Sequence, residues 1–151
     1  MLELKLAQTF DNAFNCYQLW KPSNRQAGWP DRGIQINDSK FIWCELKTTS
    51  LRKDNTIQVS NFDQSQAAFM FKWQKAGGHC FLLVAIHSGQ EDVGYAIITQ
   101  LMPNYWLSLN KRILHMDNLS LFAETMDDVI YWFRTVYENN REVTRTLPHC
   151  I

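Results

Sequence analysis

The chain has 151 residues with 15 Lys/Arg and 15 Asp/Glu, so its formal net charge is zero. Hydrophobic residues make up 46% and aromatic residues 13%, which supports a packed core and excludes a disordered chain. No run of about 18 apolar residues occurs, which excludes a membrane-spanning helix. The N-terminus alternates charge with leucine and lacks a signal-peptide core, so we expect a cytoplasmic protein, in the host cytoplasm if the gene is viral.

The length suits one domain over residues 1–151, with a core over about 1–100 and a C-terminal extension over about 101–151. The four cysteines stand far apart in sequence, so no zinc or redox CxxC motif is present. Cys16, Cys44 and Cys80 lie among apolar residues, and we expect them to be small buried core residues.

The first part of the chain predicts a helix followed by three strands. A helix is expected over residues 2–14 because apolar residues recur every four positions, at Leu2, Leu6, Phe10 and Phe14. Residues 16–20 indicate a short strand. Residues 31–37 and 40–47 indicate two strands joined by a tight turn near Asp38-Ser39.

The second part predicts a polar loop over 48–60, then a helix capped by Ser60 or Asn61 that runs to about Ala76 and ends at Gly77-Gly78. The apolar run 80–86 is typical of a central strand covered on both faces. We expect a further strand over 94–99 and an amphipathic helix over 126–140, whereas 103–125 has no clear pattern. The fold class is therefore mixed α/β.

The charged residues Glu45 and Lys47 follow an apolar strand directly. Side chains alternate along a strand, so these two project to one side and Leu46 projects into the core. If the strands before and after residues 38–39 form a hairpin, Asp31 comes near Glu45. Two adjacent carboxylates repel unless a cation neutralises them. We therefore expect Asp31, Glu45 and the Leu46 carbonyl to bind Mg²⁺, with Mn²⁺ able to substitute.

Lys47 beside such a cation fits phosphodiester hydrolysis. Its ammonium group could orient the attacking water, hold it as hydroxide or stabilise the pentavalent phosphate. The alternative is a structural ion-pair cluster on a hairpin.

The segment Pro30-Asp31 followed by Glu45-Leu46-Lys47 resembles the PD-(D/E)xK nuclease signature. Residues 28–32 (Gly-Trp-Pro-Asp-Arg) resemble the GxPDR segment of VRR-NUC nucleases. Residues 61–66 and 76–84 resemble the helix and strand that follow the motif in RecU-type and archaeal Hjc-type Holliday-junction resolvases. The resemblance implies an αβββαβ core, with a central mixed sheet flanked by helices and a C-terminal helical extension.

The same resemblance implies further site residues. Gln66 matches a helix glutamine near the active site, although it could be a solvent-facing residue and Gln64 is a competing position. Glu3 matches an acidic residue of the first helix that contributes to metal binding in some relatives, but an ordinary exposed helix acid is favoured. The resembled resolvases act as symmetric dimers on four-way junctions, so the resemblance also implies a homodimer.

Basic residues surround the predicted site despite the neutral total. Residues 1–78 carry ten Lys/Arg against seven Asp/Glu, and local charge steers a polyanion more than net charge does. Phosphate contacts are expected from the residues that flank the motif, namely Lys21, Arg25, Arg32, Arg52 and Lys53. Trp29 could stack on a base, although packing beneath its loop is favoured.

We therefore expect a magnesium-dependent endodeoxyribonuclease acting on branched DNA, in particular a Holliday-junction resolvase. One alternative is another PD-(D/E)xK nuclease with a flap, duplex or RNA target. The other is a nucleic-acid-binding module that has the fold without the activity.

Overall fold

The structure, a computed structural model, describes residues 3–22, 28–59, 61–99 and 113–140. The helices are α1 (Glu3–Ala13), α2 (Gln64–Lys75) and α3 (Met126–Phe133). The strands are β1 (Gln18–Trp20), β2 (Arg32–Asn37), β3 (Lys40–Ser50), β4 (Thr56–Gln58), β5 (His79–Ser88), β6 (Glu91–Ile98), β7 (Ile113–His115) and β8 (Phe122–Ala123). The mixed α/β class and the predicted order of core elements are confirmed.

A six-stranded sheet in the order β1-β2-β3-β5-β6-β8 forms the centre of the protein. Strands β3 and β5 are parallel, and the other neighbours in this sheet are antiparallel. The chain crosses from β3 to β5 through β4 and α2, as a parallel pair requires. Strand β4 pairs with β7 in a separate two-stranded sheet.

The two faces of the six-stranded sheet pack against different helices. On one, which we name the α1 face, Leu46 and Leu83 pack in one core cluster with Phe10 of α1 and Trp132 of α3. On the other, the α2 face, a second cluster contains Ala67 and Met70 of α2. Its buried strand side chains include Trp43, Leu82, Val84 and Ile86. The alternation of β3 therefore distributes consecutive residues between two separate cores.

The polar loop predicted over 48–60 is wrong in part. Strand β3 continues to Ser50 because it pairs in parallel with β5 as far as His87. Residues 56–58 form β4, and Ile57 and Val59 are buried in the α2-face cluster. The second strand of this pair, β7, lies more than fifty residues later, so the local sequence carries little sign of it.

The start of α2 also differs from the prediction. Asp63 is the N-cap, where neither Ser60 nor Asn61 was correct. Its side chain accepts a hydrogen bond from the Gln66 amide, and the Gln66 side chain accepts one from the Asp63 amide, which makes a capping box. The predicted end is confirmed, because Ala76 is the C-cap and Gly77 follows with φ +94°.

The C-terminal part contributes to the main core. Strand β8 extends the sheet beside β6, and Trp132 and Phe133 of α3 are buried on the α1 face. The predicted helix over 126–140 is α3 followed by a π-helical turn, Arg134–Glu138. Residues 100–112 and 141–151 lie outside the described residues. No helix in the described ranges is long and apolar enough to cross a membrane.

The cysteine expectation holds for two of the three residues. Cys44 and Cys80 are buried, but Cys16 is exposed because it lies in the turn between α1 and β1. Trp132 and Phe133 are core residues, whereas Tyr131 is exposed.

Candidate active site

The β2–β3 hairpin brings Asp31 beside Glu45. The antiparallel pairing reaches Arg32 opposite Cys44, so Asp31 lies just beyond the paired residues. The Leu46 amide donates a hydrogen bond to Asp31 Oδ2 at 2.9 Å. Because the N–H and C=O of one strand residue point to the same edge, the Leu46 carbonyl is also directed toward the edge that Asp31 occupies.

Glu45 is completely buried, and neither of its carboxylate oxygens has a hydrogen-bond partner among the described residues. Burial, then a hydrogen bond to the Asp31 carboxylate and the negative charge of Asp31, raise the pKa of Glu45 to about 10. Two ionised carboxylates cannot form a hydrogen bond with each other, because neither has a donor. The hydrogen bond between Glu45 and Asp31 therefore forms only when one of the two groups is protonated, and ionised Glu45 has no partner among the described residues. An unpaired buried carboxylate is costly, so this pair requires either a proton or a cation.

Lys47 lies on the same side of β3 as Glu45 and is 7% exposed. It forms no ion pair within the described ranges, although its charge acts against the rise in the pKa of Glu45. A buried ammonium group without a close counterion is also costly. The site therefore holds a buried acid and a buried base whose charged forms the surrounding protein leaves incompletely compensated.

Asp63 is a member of this environment that the sequence reasoning missed. Burial raises its pKa, but hydrogen bonds from the Gln66 amide and the Ser65 hydroxyl and the charge of Lys47 bring it below the usual value. The negative charge of Asp63 in turn raises the pKa of Glu45. The sequence signal was the spacing of Asp63 and Gln66, which is that of a capping box.

Gln66 lies in the first turn of α2 and is half-buried. Its Oε1 accepts a hydrogen bond from the Asp63 amide at 3.2 Å, so its side chain holds the start of the helix next to the site. Gln64, the competing position, is exposed. Glu3 is exposed as well, and its Oε1 accepts a hydrogen bond from Asn61 Nδ2 at 2.6 Å.

The predicted phosphate contacts occupy different environments. Arg32 forms two hydrogen bonds with the Asp11 carboxylate, at 2.7 and 3.0 Å, and so ties β2 to α1. Lys21 lies 3.1 Å from the same carboxylate and is exposed. Arg52 and Lys53 are exposed in the turn after β3. Arg25 lies outside the described residues.

Asp11 is the shared partner of Arg32 and Lys21. Burial raises the pKa of Asp11, but hydrogen bonds to these two cations lower it below its ordinary value. The carboxylate therefore remains charged. Arg32 is occupied on the α1 side of the sheet, away from Glu45.

Aromatic side chains adjoin the site on the α2 face. Trp29 packs edge-on against Trp43 with ring centroids 5.7 Å apart, and it contacts Phe69 of α2. Trp43 is a core residue as predicted, whereas Trp29 remains 39% exposed. The loop backbone lies close to α2, since a Cβ on Gly28 would be 2.9 Å from the Ser65 carbonyl oxygen.

The donor set fits a hard divalent cation. Asp31 and Glu45 offer carboxylate oxygens, and those of Glu45 have no protein donor to compete with a metal. Within the described ranges, no three His, Cys, Asp or Glu residues cluster as a metal site. Magnesium suits this sparse set, because it binds through one or two carboxylates and keeps several waters.

Comparisons with known proteins identify the family to which the chain belongs. The family model described as Recombination protein U (RecU) matches residues 36–130, which include Glu45, Lys47 and Gln66 and begin after Asp31. A solved structure that the chain resembles is Hjc, a Holliday junction resolvase from the archaeal hyperthermophile Archaeoglobus fulgidus. It is 11% identical, with 64% of this chain and 68% of that chain covered and a TM-score of 0.39. No curated protein matches the chain. Because the family model covers more than half of the sequence, the chain belongs to the Recombination protein U family, and the predicted resemblance to RecU-type proteins is confirmed.

Proposed function

We propose that this protein is a magnesium-dependent endonuclease that hydrolyses phosphodiester bonds in branched DNA, most specifically in Holliday junctions. The observation that carries the proposal is the buried, unpartnered Glu45 carboxylate next to Asp31, with Lys47 on the same side of β3. Membership of the RecU family supports DNA recombination as the context and junction DNA as the substrate.

Asp31, Glu45 and the Leu46 carbonyl would hold Mg²⁺, and Mn²⁺ should substitute because it also accepts oxygen ligands. When bound, the ion supplies a positive charge that makes water more acidic and offsets the negative charge developing on the phosphate. The hydrogen bond from the Leu46 amide to Asp31 fixes one carboxylate in place. Such fixed ligands reduce the reorganisation that the reaction requires.

Lys47 would act directly on the reacting atoms. Its ammonium group orients the attacking water and donates hydrogen bonds to a phosphate oxygen as negative charge grows there. The water oxygen bonds to phosphorus, the bond from phosphorus to the leaving sugar oxygen breaks, and that oxygen takes up a proton. The water loses its own proton to solvent, so the reaction is a balanced hydrolysis.

The first turn of α2 would position these groups. Asp63 acts as a positioning residue through its charge interaction with Lys47. Gln66 is retained as the fourth member of the site, because the capping box ties it to Asp63, whose charge interacts with Lys47. Glu3 is not needed in this arrangement, since its carboxylate is engaged by Asn61.

Phosphate contacts outside the centre are assigned to exposed cations. Lys21, Arg52 and Lys53 are exposed, and Arg25, which lies outside the described residues, is assigned from its sequence position alone. Such contacts would position the DNA backbone without reading sequence. Arg32 instead has a structural role through its ion pair with Asp11.

A junction resolvase must cut two strands, so we propose a homodimer with one site in each subunit. Analytical ultracentrifugation with and without junction DNA tests this part separately from the chemistry. The protein would meet its substrate in the cytoplasm, a compartment that also keeps exposed thiols such as Cys16 reduced.

Cleavage of labelled four-way junction, flap, linear duplex and single-stranded DNA with Mg²⁺ tests the function. We expect the junction to be cut fastest, and Lys47→Ala to lower the rate about 10²–10³-fold because a preorganised charge is lost. Lys75→Ala is the matched control, since it removes a lysine from the far end of α2 and should leave the rate unchanged.

Each other outcome has a defined meaning. Equal cleavage by the wild type and Lys47→Ala would contradict the catalytic assignment. Preferred cleavage of the flap or duplex would favour another nuclease of the same superfamily. Junction binding without cleavage of any substrate would favour the binding module.

A further inference from the structure

A polar pocket with a volume of about 410 Å³ lies at the carboxyl end of β3, beyond Lys47. It is lined by residues 48–50 (Thr-Thr-Ser), Arg52, Gln58, Asn61 and His87. This volume falls within the range of sites that hold small organic ligands, about 300–1,000 Å³. Such sites are usually apolar, whereas every side chain lining this one is polar or charged. The pocket is therefore suited to a charged ligand.

The chemistry of the lining favours an anion. None of the lining side chains is a carboxylate, and hydroxyl, amide, imidazole and guanidinium groups all supply donors. His87 Nδ1 is buried and has no hydrogen-bond partner among the described residues. Arg52 donates to Gln58 Oε1, which holds its guanidinium against the pocket. The Thr49 hydroxyl already donates to the Gln58 carbonyl and Asn61 Nδ2 to Glu3, so a phosphate would accept hydrogen bonds mainly from Arg52 and His87 and meet the positive charge of Arg52.

The floor of the pocket is fixed by secondary structure. Ser50 of β3 pairs with His87 of the parallel strand β5. Thr49 Oγ1 donates a hydrogen bond to the Gln58 carbonyl at 2.7 Å, which ties β3 to β4. Ligands of α/β proteins bind preferentially at the carboxyl ends of parallel strands. The donors are therefore carried on rigid elements.

The distance from Lys47 matches the spacing of a nucleic-acid strand. Residues 49 and 50 are two and three positions after Lys47, or about 7–10 Å along a strand that rises about 3.3 Å per residue. Successive phosphates of one DNA strand are spaced by about 3.4 Å along the helix axis and lie farther apart in space, because the strand winds around that axis. A strand with one phosphate at Lys47 can therefore place another, one to three nucleotides away, in the pocket.

We propose that this pocket is a second phosphate subsite, which binds a phosphodiester of the cleaved strand one to three nucleotides from the scissile bond. The inference rests on the proposed nuclease function for its position relative to cleavage. Its chemical basis, the set of donors around Arg52 and His87, is independent of the catalytic residues.

Methylphosphonate scanning tests the subsite. One strand of a four-way junction carries a single neutral methylphosphonate, moved one position at a time, and binding to the full-length Lys47→Ala protein is measured by fluorescence anisotropy. We expect one position, one to three nucleotides from the cleavage site, to weaken binding about tenfold, as loss of a charge-assisted contact does. In Lys47→Ala/Arg52→Ala the same methylphosphonate should change binding less than about twofold, because coupled partners are not additive.

Lys47→Ala/Lys75→Ala is the matched control and should retain the full tenfold effect. The Lys47→Ala/His87→Ala protein should also show a smaller loss of binding with this methylphosphonate, and the effects of methylphosphonates at the other positions should not change. If every methylphosphonate acts equally in the presence and absence of Arg52, the subsite does not exist. If the wild type cuts no DNA but one position still couples to Arg52, the nuclease proposal fails while the subsite stands.

Discussion

The two faces of the central sheet are built from the same strands but tolerate charge very differently. On the α1 face, Leu46 and Leu83 are buried among apolar and aromatic side chains that α1 and α3 cover. On the α2 face, Glu45 and Lys47 occupy equally buried positions of the same strand. One residue of offset along β3 thus separates a hydrophobic core from an acid and a base whose charged forms the fold leaves incompletely compensated.

This difference indicates where stability and chemistry reside. Each face has an apolar cluster whose substitutions should change the free energy of unfolding, but the cluster on the α1 face is uninterrupted by charged side chains of β3. The α2 face places charges where apolar residues would be more stable, and such local conflicts are expected at functional sites. Variants on the two faces should therefore affect different measurements.

The largest effect on activity is expected for Glu45→Gln. The change keeps the size of the side chain but removes a proposed metal ligand, so Mg²⁺-dependent cleavage should fall about 10³-fold. The free energy of unfolding without divalent cations should not decrease at pH 8, because the variant no longer has to keep a proton on Glu45 far above the ordinary pKa of a carboxyl group. Chemical denaturation and junction cleavage measure the two quantities. If Glu45→Gln lost stability but cleaved normally, Glu45 would have a structural role and the α2 face would not carry the chemistry.

Leu83→Ala is the matching change on the α1 face. Leu83 is completely buried, so the cavity should lower the free energy of unfolding by about 2–5 kcal/mol. The cleavage rate per folded molecule should stay within about twofold of the wild type, since the side chain faces away from Glu45. Urea denaturation gives the stability, and the rate is measured well below the melting temperature. A large loss of rate in fully folded protein would show that the faces are not separate.

The pH dependence of stability sharpens the same contrast. The pKa of Glu45 is about 10 in the folded protein against an ordinary value of 4.5. The folded state therefore keeps a proton that the unfolded chain releases, so stability present below about pH 4.5 is lost as pH rises toward 10. The slope from this residue is at most about 1.4 kcal/mol per pH unit.

Denaturation of the metal-free protein between about pH 6 and 8 measures this slope. The Glu45→Gln curve should be flatter than the wild-type curve across this window, because the titrating group is gone. Parallel curves for the two proteins would mean that Glu45 is already ionised in the folded state.

The smallest loss of stability is expected for Gly28→Ala. Gly28 has φ +84°, and an added Cβ would lie 2.9 Å from the Ser65 carbonyl oxygen. The left-handed backbone alone costs about 1–2 kcal/mol for an alanine. Because this residue holds the loop before Asp31 against α2, cleavage should fall more than for Leu83→Ala, although less stability is lost. Equal stability and rate to the wild type would show that the loop relaxes freely.

Local patterns were sufficient to predict much of the fold and the proximity of the residues at the centre of the candidate site. The four-residue spacing predicted α1, the turn at residues 38–39 predicted the hairpin, and strand alternation placed Glu45 beside Lys47. These features depend on neighbours in sequence. The hairpin in turn brought Asp31 to Glu45, as the Leu46 amide hydrogen bond shows.

The features that the sequence did not predict depend on distant partners. Strand β4 is stabilised by pairing with β7, which is distant in sequence. Arg32 was expected to contact phosphate, but it pairs with Asp11, and the sequence gives no sign of this partner because Asp11 lies on another element. Asp63 combines a local role as helix cap with a tertiary one near Lys47. Only the first of these roles has a pattern in the sequence.

Anomalous scattering from crystals of the full chain soaked in Mn²⁺ would show whether Asp31 and Glu45 bind a metal ion. We expect one peak between Asp31 and Glu45, with carboxylate oxygens at about 2 Å, the usual length of such bonds. The same soak of Glu45→Gln should show the peak weakened or absent. A wild-type site without a peak at saturating Mn²⁺, with Glu45 still buried and unpartnered, would contradict the proposed metal site.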